Sequence, residues 1–245
     1  MMSETLFKFN LTAVHPSWQP CITAALATMD REYLKNLAED SQWLPGPEKI
    51  FNAFSLPMEQ TKYVLFGESP YPRAASANGY AFWDAAVTDI WSNTGLSKPV
   101  NRATSLRNII KMLLITEGVL SPDDATQPAI AALDKSQFVQ TNTEFFNNFL
   151  NHGFLLLNAT PILQLKQVRK DAQSWAPFIK TILHTLFKQK PDVQLILLGN
   201  IANSIDKLID HAQVKKFYAE HPYNISFINN ETVKQFFQPL HLLRR

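Results

Sequence analysis

Cysteine is almost absent from this chain: Cys21 is the only one among 245 residues. A single thiol closes no internal disulfide and cannot hold an iron–sulfur cluster or a cysteine-rich zinc site. It agrees with a reducing compartment, where thiols stay free. Long apolar runs are missing too. Nothing approaches the roughly 18–20 apolar residues that a membrane-spanning helix needs. Met1 to Asn10 lacks the cationic start and apolar stretch of a signal peptide. The expectation is a soluble, cytoplasmic protein with no membrane partner. Neither sign of charge is in excess, since 23 Lys and Arg face 21 Asp and Glu, for a formal net charge of +2. That balance does not advertise nucleic-acid binding, so any basic face must be local. Internal repeats and low-complexity segments are also lacking.

What is present suits one globular domain over residues 1–245, with 46% hydrophobic and 18% charged residues. Three apolar runs read as buried parallel strands, because both faces are apolar and each stops at a loop residue. They are Tyr63–Phe66 before Gly67, Gly153–Leu157 before Asn158, and Val193–Leu198 before Gly199. A fourth strand falls at Asn224–Phe227 or, alternatively, near Phe217-Tyr218. Helical spacing covers Ile22 to Leu37 (divided near Asp30), Ser105 to Leu114, Phe138 to Leu150, Trp175 to Phe187 and Ile201 to Ile209. Thr104 or Ser105 is the candidate N-cap of the second of these. Asp84 to Ala103 is a long connection. Strands alternating with helices predict an α/β fold, a three-layer α/β/α sandwich around a central four-stranded, mainly parallel sheet.

Ligands of open α/β sheets gather at the carboxyl ends of the strands. Those ends present Gly67-Glu68-Ser69-Pro70-Tyr71, Asn158-Ala159-Thr160 and Gly199-Asn200, and a later loop adds His221-Pro222. A glycine that admits a ligand to the backbone, an aromatic, a carboxamide and an imidazole together suit a planar polar heterocycle. The amide of Asn158 offers both a donor and an acceptor, as a pyrimidine edge requires. Singly these are ordinary: an Asn after a strand is a turn residue, His-Pro a loop, and Phe82 a core residue. Their order and spacing carry the signal.

That order resembles the family 1 uracil-DNA glycosylases. Gly67-Glu68-Ser69-Pro70-Tyr71-Pro72 is similar to the family's G-Q-D-P-Y-H. Gly79-Tyr80-Ala81-Phe82 follows at the same spacing as its G-L-A-F. Ala103-Thr104-Ser105-Leu106-Arg107-Asn108-Ile109 resembles P-P-S-L-R-N-I, and Gly153 to Ala159 resembles G-V-L-L-L-N-A. Ile196 to Asn200 resembles L-L-W-G-S, and His221-Pro222-Tyr223-Asn224-Ile225-Ser226 resembles H-P-S-P-L-S. The likeness runs from about Trp18 to the last helix. It implies a base-flipping protein that cleaves the N-glycosidic bond of uridine in single- or double-stranded DNA. No metal and no cofactor is implied, and the protein would act as a monomer in base excision repair.

By the same resemblance, Phe82 stacks on the flipped uracil, Tyr71 excludes the thymine methyl, and Asn158 reads the uracil edge, beside Gly67. His221 stabilises charge on uracil O2. Ser105, Asn200 and Ser226 stand at phosphate-contacting positions, with Asn200 replacing a serine, and Ile225 stands in place of the leucine wedge. Tyr223 and Asn224 replace a serine and a proline, and Pro72 replaces a histidine. The decisive departure is Ser69, where the family has a catalytic aspartate. A hydroxyl binds water but lacks charge and basicity. Glu68 is the carboxylate left in the loop, and Gly67-Glu68-Ser69-Pro70 also resembles the G-E-[AG]-P opening of family 4 glycosylases. Three readings therefore stay open: an active glycosylase using Glu68 or another water-positioning group, a catalytically silent DNA- or protein-binding module on the same fold, and a glycosylase for another damaged base.

Overall fold

The structure is a computed structural model that describes residues 9–40, 42–209 and 214–245. Residues 1–8, on which the expectation of a leaderless start rests, lie outside the described residues. The chain divides into two compact units. The first takes residues up to Ala81, Gly153–Leu197 and Ile201–Phe217; the second takes Phe82–His152, Leu198–Asn200 and Tyr218–Arg245.

The first unit is built on the expected sheet. Strand β1 is Tyr63–Gly67, and the short strands β2 (Trp91–Ser92) and β3 (Gly95–Leu96) come after it in the chain. Then come β4 (Phe154–Asn158), β5 (Gln194–Leu198) and β6 (Lys215–Ala219). The sheet order is β4-β1-β5-β6, and β1 runs parallel to both of its neighbours. Every residue of β4 is buried, as are four of the five in β5. Their unbroken Leu and Ile runs are what a sheet covered on both faces demands. With its flanking helices the sheet forms the α/β sandwich that the strand–helix alternation predicts.

Two helices of this unit obey sequence cues closely. Helix α1 is Gln19–Leu26 and α2 is Arg31–Glu39. The break between them falls at Asp30, whose carboxylate caps α2 by accepting from Tyr33 N at 2.7 Å. In the second unit, α3 is Lys98–Arg102, α4 Thr104–Thr116, α5 Gln127–Ala131 and α6 Asn142–Asn151. Helix α7, Val168–Gln189, returns to the first unit and starts seven residues before the expected Trp175. Pro177 suggests a first turn near Trp175. The extra turns are held instead by Asp171, which is fully buried and accepts from Tyr33 Oη at 2.8 Å and Gln164 N at 3.1 Å. Burial of Asp171 pushes its carboxyl above the usual range, against the opposing pull of these donors. Trp175 and Phe178 enter an aromatic cluster with Phe51, whose ring stacks on Phe178 at 5.6 Å. Each such ring contributes about 1.5–3 kcal/mol by leaving water. Helix α8 is Ile201–Asp206, shorter than the expected Ile201 to Ile209.

The fourth strand is β6, which takes the Phe217-Tyr218 alternative. Asn224–Phe227 is not a strand. Ile225–Asn229 is a 3-10 helix, entered through a turn in which Asn224 N donates to His221 O at 2.9 Å. β6 is an edge strand in which Phe217 alone is buried, so it lacks the apolar run of its neighbours.

Within the second unit, α4 packs against that 3-10 helix and against α9, Glu231–Phe237. Its N-cap is Ala103, which makes no side-chain cap, so Thr104 and Ser105 are helical residues rather than the cap. Helix α6 begins at a capping box: Glu144 N donates to Thr141 Oγ1 at 3.1 Å, and Thr141 N donates to Glu144 Oε2 at 2.8 Å. Phe138 to Gln140 are not helical as expected. Phe138 bridges to Arg244, and Val139 N donates to Leu243 O at 2.9 Å. The long connection from Asp84 to Ala103 contains the antiparallel β2–β3 pair and α3.

Candidate active site

In the first unit the candidate residues sit where β1 and β4 end. Gly67 is paired in register with Asn158. Beyond the strands, Ala159 N donates to Gly67 O and Thr160 N to Glu68 O, both at 2.9 Å. The parallel ladder therefore continues into the loop and fixes the backbone that leads directly to Ser69. A β-carbon at position 67 would lie 2.5 Å from Asn158 Oδ1 and 2.9 Å from Ala81 Cβ. Only glycine lets the Asn158 carboxamide lie against the strand end. Asn158 is 3% exposed. Ser69 and Tyr71 are half-buried, and Glu68 is exposed. Ala81 N donates to Leu156 O at 3.0 Å, which fixes the chain immediately before Phe82.

In the second unit Phe82 has φ +64°, a left-handed backbone that a bulky aromatic rarely adopts. Such strain costs on the order of 1–3 kcal/mol and collects at functional positions. Contacts made by the next two residues hold the turn: Trp83 stacks on Phe146 at 5.2 Å, and Asn142 Nδ2 donates to Asp84 O at 3.0 Å. The Phe82 ring lies 6.1 Å from the His221 ring, tilted by 33°.

His221 is half-buried and its tautomer is set locally. Tyr223 N donates to His221 Nδ1 at 3.1 Å, so Nδ1 is an acceptor and the neutral ring carries its proton on Nε2. The imidazole is thereby prepared as a donor. Gly199, at φ +75°, lies beneath it, and a β-carbon there would come within 2.7 Å of His221 Cβ. Gly199 N also donates to Ala219 O at 2.8 Å.

Of the residues expected to handle DNA, Ser105 is half-buried in the uncapped first turn of α4. Asn200 is exposed just before α8, and Ile225 is 63% exposed at the start of its 3-10 helix. Ser226 is exposed, and its hydroxyl donates to Glu220 Oε2.

No family model matches the chain. Among solved structures, a wild-type UNG from Nitratifractor salsuginis is 40% identical with a TM-score of 0.91, covering 96% of this chain and 94% of that one. The chain belongs to the uracil-DNA glycosylase superfamily. Curated relatives agree: proteins named uracil-DNA glycosylase from Amoebophilus asiaticus and Xanthomonas campestris are both 27% identical. They cover 85% and 87% of this chain, which in turn covers 84% and 78% of theirs. Mimivirus uracil-DNA glycosylase, at 18% identity and a TM-score of 0.59, shares the fold.

Sequence reasoning did not single out two residues of this glycosylase-superfamily chain. Asn108, 1% exposed on α4, donates through Nδ2 to Pro222 O at 2.8 Å, and so fastens the loop just after His221. Its place in Ser105-Leu106-Arg107-Asn108 was readable, but its partner was not. Glu220 joins the two ends of the same loop through Ser226 and Asn230. Among the described residues no group of three or more His, Cys, Asp or Glu side chains is arranged for a metal ion, and no helix is long and apolar enough to cross a membrane.

Proposed function

We propose that this protein binds uracil-containing DNA, flips the uracil out of the stack and hydrolyses its N-glycosidic bond slowly, as a monomer in base excision repair. The observation that carries the reading is the Asn158 carboxamide, buried at the end of β4 and lying against Gly67, where no side chain fits. An amide so placed offers one donor and one acceptor to a pyrimidine edge. Tyr71 excludes a C5 methyl, and Phe82 stacks on the base. His221, protonated at Nε2, donates to O2 as negative charge develops on the departing uracil. Relatives named uracil-DNA glycosylase support the same activity. Ser105, Asn200 and Ser226 hold backbone phosphates, and Ile225 fills the vacated stack.

Turnover is limited at Ser69. As the bond breaks, the sugar becomes cation-like and needs a nearby anion and an oriented water. The Ser69 hydroxyl orients water without supplying charge. Loss of one preorganised electrostatic group typically costs about 10²–10³ in rate. Glu68 is the loop's remaining carboxylate, and its exposure leaves it hydrated and electrostatically weakened. Ser69 together with that exposure favours a second reading, in which the protein binds uracil-DNA and does not cleave it.

The deciding experiment incubates the purified protein with a uracil-containing oligonucleotide and counts abasic sites. Slow cleavage lost in Glu68→Gln and kept in Ser69→Ala assigns the water to Glu68. No cleavage, with activity gained in Ser69→Asp, favours the silent module. Failure to bind uracil-DNA at all sinks both readings.

A further inference from the structure

The segment from Glu220 to Asn230 carries His221, Ile225 and Ser226, and one carboxylate closes it on itself. Ser226 Oγ donates to Glu220 Oε2, and Asn230 Nδ2 donates to Glu220 Oε1 at 3.2 Å. Asn230 is in turn the N-cap of α9, its Oδ1 accepting from Val233 N at 3.1 Å. Glu220 thus ties the His221 end of the loop to the start of a helix. A serine hydroxyl has one proton and donates to one acceptor at a time. While Ser226 is bonded to Glu220, that proton is not offered to a phosphate.

We infer that Glu220 is a built-in competitor for the Ser226 hydroxyl: it holds the loop in the absence of DNA and must give Ser226 up when a backbone phosphate arrives. The inference rests on the proposal that this loop binds DNA. Two effects then oppose binding. The bond from Ser226 to a charged acceptor is broken, and the freed carboxylate is left near a phosphate of like charge. Glu220 is a positioning residue that sets affinity for the DNA backbone, not a group that touches the base.

The test is a double-mutant cycle read by fluorescence anisotropy at low salt, with an oligonucleotide carrying 2′-fluoro-2′-deoxyuridine to resist cleavage. Glu220→Gln keeps the size and an acceptor oxygen but removes the charge. It is expected to tighten binding about three- to tenfold, and most of that gain should vanish in the Ser226→Ala background. Where turnover is measurable, the gain should appear in KM and leave kcat unchanged. Glu220→Asp, still charged but one methylene shorter, should bind more tightly than the wild type and less tightly than Glu220→Gln. It serves as the second variant if Glu220→Gln melts early. Unchanged or weaker binding by both Glu220 variants, or an equal gain with and without Ser226, overturns the competition. Failure of the wild type to bind the oligonucleotide would instead overturn the DNA-binding reading beneath it.

Discussion

Two parts of the molecule hold polar side chains ready by different means. In the first unit, Asn158 is placed by a parallel ladder: β1 and β4 pair over five positions, and two further backbone bonds extend the pairing past their ends. In the second unit, the loop around His221 has no ladder. It is fixed by side chain–backbone bonds from Asn108 to Pro222 and from Tyr223 to the imidazole, and by the Glu220 carboxylate. A ladder spreads its stability over many bonds, so its set-point is insensitive to any one surface change. The loop adds to its own backbone turns a set of side-chain ties, each removable by one substitution. Asn158 is therefore held by backbone pairing, whereas the loop that carries His221 and Ser226 is tied by side chains.

The contrast is broken most severely at the ladder's end. Gly67→Ala would drive a methyl against the Asn158 carboxamide and Ala81. The expected outcome is loss of uracil discrimination by more than about 10³ in kcat/KM, as for a site built to hydrogen-bond its ligand. Asn158→Ala should match it without the steric strain. Cleavage or binding assays comparing uracil with thymine check both, and retained discrimination in either would remove Asn158 from the reading role. Next comes the loop's fastening to α4. Asn108→Ala removes a buried bond and should destabilise by about 1–3 kcal/mol. It should also lower turnover about tenfold through the loosened His221. A melting curve with steady-state kinetics separates the two, and a stability loss with unchanged kcat would make Asn108 purely structural.

The smallest expected effects lie far from the loops, in the buried network of α2 and α7. Tyr33→Phe removes the 2.8 Å bond to Asp171 and should cost about 1–2 kcal/mol in stability with base recognition unchanged. The pH dependence of that network has a definite sign. The Asp171 carboxyl is raised by burial, so it binds its proton more tightly folded than unfolded. Its contribution to stability is full below the ordinary carboxylate range and declines as pH rises through the folded value. Thermal melts between acid and neutral pH should show this downward component in the wild type and not in Asp171→Asn. A rise in its place would reverse the assignment.

The parts most legible in sequence are those that obey local rules. Leu155-Leu156-Leu157 and Leu195-Ile196-Leu197 are apolar on both faces because both faces are buried, and a run of that kind has few other uses. Asp30 ends one helix and caps the next, a choice made by its short carboxylate. The capping box at Thr141 and Glu144 was equally readable and would have moved the start of α6 from Phe138. Its neighbours Phe138 and Val139 are instead drawn into pairing with the chain's end, a contact that outweighs their helical spacing. β6 was harder to read because an edge strand with Lys215 and Lys216 has no apolar run to announce it.

By itself, then, the sequence determined the α/β alternation, the three buried strands and the chemical types waiting at their ends, because burial and strand termination are written in consecutive residues. It also determined that Ser69 supplies no charge, since that comes from composition alone. Only the tertiary structure decided that Asn158 is buried against Gly67, that Phe82 turns through a left-handed backbone, and that His221 Nδ1 accepts from Tyr223 N. Only there does Asn108 meet Pro222, 114 residues away, and Glu220 take the hydroxyl of Ser226. Those facts depend on which groups a folded backbone brings within hydrogen-bonding distance, and no local pattern of residues encodes them.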